Sequence, residues 1–130
     1  MQVQLYEKRG KTSVYIDAKI EENGDLLISG QDVGELPSKF WGDLDYEYWL
    51  NVASENKDRV FKSLIEYCDQ VGIPASSTSR NKDEALLTLL EKVYGGKVSA
   101  FGEFWDLMKD HGIPAEFFSV LWRKPYCRPG

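Results

Sequence analysis

Between residues 2 and 30 apolar and polar positions alternate with a period of two. Val14, Ile16, Ala18 and Ile20 fall on one face, and Ser13, Tyr15, Asp17 and Lys19 fall on the other. That is the pattern of a half-buried antiparallel strand. Gly10-Lys11 and Asn23-Gly24 interrupt it as two-residue turns, the second because both residues tolerate positive φ. The spacing predicts a three-strand meander over 2–9, 12–20 and 25–30. Residues 31–43 contain Gly34, Pro37 and Gly42 and read as a loop. Phe40 and Trp41 within it are expected to fold back onto the body, because two large exposed rings are costly. Alternation resumes over 44–53, with Tyr46, Tyr48, Leu50 and Val52 facing one way and Asp45, Glu47, Trp49 and Asn51 the other.

The period then changes. Val60, Phe61, Leu64, Ile65 and Cys68 follow helical spacing, with Ser54 placed to cap the start and Gly72-Ile73-Pro74 placed to stop the end. Residues 75–79 read as a Ser/Thr connector. A second helix is predicted over about 81–94, with Leu86, Leu87, Leu89, Leu90 and Val93 inward and Gly95-Gly96 as its stop. Ser99 is placed to cap a third, whose inner face is Phe101, Phe104, Trp105 and Met108 and which ends at Gly112-Ile113-Pro114. A final strand over about 115–122 carries Phe118, Val120 and Trp122 on one face and Phe117, Ser119 and Leu121 on the other. Apolar residues on both faces suit a central strand, or one whose second face is covered. Strands and helices are segregated, so the expected class is α+β: a four- to five-stranded, mainly antiparallel sheet with about three helices on one face. We expect one domain over 1–122 and a frayed tail over 123–130.

Charge sharpens this picture. The 130 residues carry a formal net charge of −5. Residues 21–47 hold eight acids (Glu21, Glu22, Asp25, Asp32, Glu35, Asp43, Asp45 and Glu47) against the single base Lys39, whereas acids and bases cancel over 48–130. A localised negative field steers a cationic partner and opposes binding to phosphates, so we expect a basic protein partner and no nucleic acid. No apolar run is long enough to span a bilayer, the N-terminus shows no basic-then-apolar export pattern, and two isolated Cys fit free thiols. The expected setting is therefore cytoplasmic, without a membrane partner.

If Val14, Ile16, Tyr48 and Leu50 meet the helices, the other sheet face displays Tyr6, Tyr15 and Trp49 beside Asp17, Asp45 and Glu47, with Asp43 at the rim. Tyr and Trp anchor interfaces, and carboxylates around them suit Arg or Lys. The competing reading is cross-strand aromatic pairing that only stabilises the sheet. Chemistry has a weaker footing. Asp43, Asp45 and Glu47 alternate along one strand face, an arrangement open to a divalent cation or to acid–base work, and a small metal-dependent hydrolase is the enzymatic alternative. That spacing is not specific. The single His111 sits in the last turn of a predicted helix, a structural position, and no phosphate loop, nucleophile elbow or dinucleotide fingerprint is present. We therefore expect no cofactor and a non-enzymatic binding protein. A self-associating module built on the open sheet face is the third alternative.

The stretch from Ile28 to Trp122 resembles a group of small bacterial α+β proteins. The likeness is carried by Gly30-Gln31-Asp32, by Gly42-Asp43-x-Asp45-Tyr46-Glu47-Tyr48, and by Ser99-x-Phe101-x-x-Phe104 followed by Gly112-Ile113-Pro114-x-Glu116-Phe117. Such proteins are similar to the immunity proteins that accompany bacterial toxins. The resemblance implies an acidic inhibitor of a basic toxin and carries no assigned functional residues.

Overall fold

The computed structural model describes residues 1–35, 42–75 and 80–125. Phe40, Trp41, the connector at 76–79 and Cys127 lie outside the described residues. Among those described, the strands are β1 (Gln2–Lys8), β2 (Thr12–Ile20), β3 (Leu26–Glu35), β4 (Gly42–Val52) and β5 (Glu116–Pro125). A 3-10 turn at Ser54–Asn56 leads into α1 (Lys57–Val71), followed by α2 (Lys82–Tyr94) and α3 (Ala100–Asp110). The five strands form one sheet in chain order, every neighbouring pair antiparallel. All three helices are inserted between β4 and β5. The α+β class and the sheet with three helices are thus as the hydrophobic pattern predicts.

Register follows the alternation. Ala18, Ile28, Leu50 and Phe117 stand in one row across the sheet, and Ile20, Leu26 and Val52 in the next. Ile16, Ala18, Leu26, Ile28, Leu50 and Val52 are sealed from solvent. Against them pack Val60, Leu64 and Cys68 of α1, Leu86, Leu87, Leu90 and Val93 of α2, and Phe101, Phe104 and Met108 of α3. α2 lies over β1 and β2, and α3 reaches β3. Helix α2 is buried along most of its length because it sits between α1 and the sheet, and the Asn81 side chain starts it by accepting from the N–H groups of Asp83 (2.9 Å) and Glu84 (3.1 Å).

Several expectations need correction. β3 continues past Gly30 to Glu35, and β4 begins at Gly42, so strands take residues 31–35 and 42–43 of the expected 31–43 loop, and 36–41 lie outside the described residues. Gly30 stays inside the strand because the Tyr48 ring lies over it, in the space a Cβ would take. Ser54 does not cap α1 with its side chain. Its backbone N–H donates to Asp25 Oδ1 (2.8 Å), and Asn56 is the residue before the helix. Ser99 precedes α3 but its hydroxyl turns to Glu103. Residues 123–125, expected in the tail, pair with Gly42–Leu44 as part of β5. Finally, β5 is an edge strand. Phe118 (50%) and Leu121 (62%) are exposed, one on each face. Apolar content on both faces reports what a strand can bury, not whether a neighbour is there to cover it.

Candidate functional site

The face of the sheet away from the helices is ordered by two rows. One crosses Asp17, Ser29, Trp49 and Phe118, and the other crosses Tyr15, Gln31, Glu47 and Val120. On the central strand β3 the open-face row carries the small Ser29, with Trp49 opposite it and Tyr15 diagonal to it. A small residue between large ones accompanies a depression of about 130 Å³, lined by Tyr15, Asp17, Ser29, Gly30, Gln31, Glu47 and Trp49. Four of the residues expected to contact a partner (Tyr15, Asp17, Glu47 and Trp49) therefore converge on one spot, each half-buried.

The other three do not join them as expected. Tyr6 is opposite Ile16 and packs against the core on the helix side. A bulge between Gln4 and Tyr6 absorbs Leu5 and reverses the alternation that otherwise carries Tyr6 to the open face. Asp45 is only 4% exposed, and its two carboxylate oxygens accept from Gln31 Nε2 at 3.1 and 3.2 Å. It anchors the lining of the depression and does not offer a contact surface. Asp43 lies in β4 opposite Glu35 and Lys124, and its side chain is outside those described. The pattern alone missed Ser29, Gly30 and Gln31, because Gly30 had read as the end of a strand. The signal was present in the small Ser29, which stands opposite Trp49 and one step from the Tyr15–Gln31 pair.

Two acidic side chains, Asp17 and Glu47, line the depression. Burial raises the Asp17 carboxyl above its ordinary range, a hydrogen bond with Gln2 opposes the shift, and the negative charge of Glu7 adds to it. A carboxylate in that position gains from an incoming positive charge. Among the described residues, neither Asp17 nor Glu47 has an ion pair. The ionisable group of the helix-facing row differs in kind: Tyr48 donates to Asp32 Oδ1 at 3.1 Å, and burial first, then the Asp32 charge, pushes its phenol upward.

A second, larger cavity of about 620 Å³ lies between the N-terminal halves of α1 and α2. Its floor is Phe61, Ile65, Ala75, Ala85 and Leu86. Its rim balances Lys57, Arg80 and Lys82 against Glu55, Asp58 and Asp83, and the 2.7 Å Lys57–Asp83 pair satisfies two of these internally. No net charge selects a ligand there. No group of three His, Cys, Asp or Glu among the described residues is arranged to hold a metal ion. No described helix is long and apolar enough to cross a membrane.

The fold and site together define an α+β protein with a helix-covered face and an open acidic–aromatic face. No protein-family model, curated protein or solved structure matches the chain.

Proposed function

We propose that the protein is a non-enzymatic binding module that receives an Arg or Lys side chain of a basic protein partner in the depression on the open sheet face. The observation that carries this reading is the meeting of Asp17 and Glu47 with Tyr15 and Trp49 around about 130 Å³ of space, where among the described residues neither acid has an ion pair. The volume is below the roughly 300–1,000 Å³ typical of small-molecule sites and suits the head of one side chain. Carboxylates pair with a guanidinium or ammonium, and the aromatic walls add cation–π attraction. Occlusion of a basic toxin is the biological role this surface serves best, in line with the resemblance to immunity proteins. Titration of the isotopically labelled protein with a short arginine-rich peptide tests the site. The expected result is salt-sensitive shifts at the Trp49 indole N–H and the Ser29–Gln31 amides. Shifts confined to other surfaces, or none, contradict it.

A further inference from the structure

The two edges of the sheet are treated differently. At β1 the bulge frees the Leu5 carbonyl, which accepts from Gly96 N–H at 2.7 Å, so the turn between α2 and α3 covers that edge. At β5, among the described residues, no backbone hydrogen bond beyond the β4 ladder involves Glu116–Pro125. The strand also exposes Phe117 (38%), Phe118 (50%), Val120 (36%) and Leu121 (62%). Natural sheets blunt free edges with charge, Pro, bulges or cover. Here a ten-residue strand has its charged residues only at the ends, Glu116 at the start and Arg123-Lys124 near the finish.

We propose that β5 pairs antiparallel with β5 of a second copy, about a two-fold axis perpendicular to the sheet at Val120. This register aligns nearly the whole strand and is self-complementary. It sets Glu116 opposite Lys124 of the other copy, Phe118 opposite Trp122, Ser119 opposite Leu121, and Val120 opposite itself. Opposite charges meet twice by symmetry, the free backbone groups of the edge are paired, and the apolar side chains between the charges gain cross-strand neighbours. Any other strand would have to reproduce this acid-to-base polarity, whereas a second copy supplies it automatically. The chain's net charge of −5 otherwise keeps copies apart, so a charge-matched seam is what association requires. Helices of both copies then lie on the same side of a continuous ten-stranded sheet. The two open-face depressions, centred on β3 of each copy, stand five strand spacings apart, roughly 24 Å.

Light scattering of the full chain over a concentration series tests this. Wild type is expected to be a dimer that dissociates on dilution. Val120→Lys, which puts like charges together on the axis, is expected to be monomeric while its circular dichroism matches wild type and its thermal midpoint no longer depends on protein concentration. Glu116→Lys is expected to weaken the dimer about tenfold, and Glu116→Lys combined with Lys124→Glu to restore it. A wild type that is monomeric at every concentration, a Val120→Lys protein that dimerises as tightly as wild type, or a double swap that fails to restore association overturns the proposal.

Discussion

At Asp17 the charge that the proposed binding would use works against folding. Its carboxyl sits above the ordinary range because burial disfavours the charge. The folded state therefore favours the protonated form, and the contribution of Asp17 to stability is present at low pH and lost as pH rises through its folded pKa. Asp17→Asn is accordingly expected to raise the thermal midpoint at neutral pH and to weaken binding of a cationic partner. Thermal melts and calorimetry on the same variant check both signs. Asp25 has the opposite sign. The Ser54 backbone N–H first, then Asn51 and Asn23, hold its carboxyl below the ordinary range. Its contribution is present at neutral pH and is lost as pH falls through the carboxylate range, so Asp25→Asn should lower the neutral-pH midpoint and flatten its fall on acidification. Gly30 is constrained by packing: a Cβ there collides with the Tyr48 ring, which is itself edge-on to Phe101 at 4.7 Å. Gly30→Ala is expected to destabilise by about 1–3 kcal/mol, measured by chemical denaturation.

At the scale of elements, the sequence was most legible where periodicity acts alone. The alternation in β2 and in the Leu50–Val52 end of β4, and the helical stripes of α1 and α3, match the observed burial, because a strand or helix that must cover one face has little freedom in which residues do so; Asp45 is the exception, buried on the outer face. Local chemistry was less legible. The Asn23-Gly24 turn, with Gly24 at φ 90°, followed from residue type. The Ser54 and Ser99 caps did not: the Ser54 N–H pairs with Asp25, which only the tertiary fold brings near, and the Ser99 hydroxyl turns to the Glu103 carboxylate in the same first turn instead of to a backbone N–H. The real side-chain cap is Asn81 of α2, and Asn81→Ala should cost about 1 kcal/mol in denaturant unfolding. The bulge in β1 was invisible, because one extra residue leaves no mark on composition yet moves Tyr6 to the helix side. The position of β5 was misread for a related reason: its residues are apolar on both faces, yet among the described strands it has a neighbour on one side only.

The whole molecule divides its work between faces. One side of the sheet is occupied by the helices and the core. The other keeps Asp17 and Glu47 beside Tyr15 and Trp49, in a chain whose acids are concentrated over 21–47. Of the seven residues expected to form the contact, four converge on the depression, one anchors it from within, one crosses to the helix side, and Asp43 contributes a backbone position in β4. What the sequence could not convey is concavity, which depends on which strands are neighbours and on the small Ser29 of β3 lying between large residues. A long-range acidic field predicts association that slows with rising salt, since charges beyond about 8 Å are screened at physiological ionic strength. Glu47→Lys should reduce both the association rate and its salt dependence. The most direct measurement of the central claim is the calorimetric affinity of a basic protein partner for wild type and for Trp49→Ala, with the fold of both verified. The depression predicts a loss of about 30-fold or more on removing the indole, whereas equal affinity for the two proteins would show that the partner binds elsewhere.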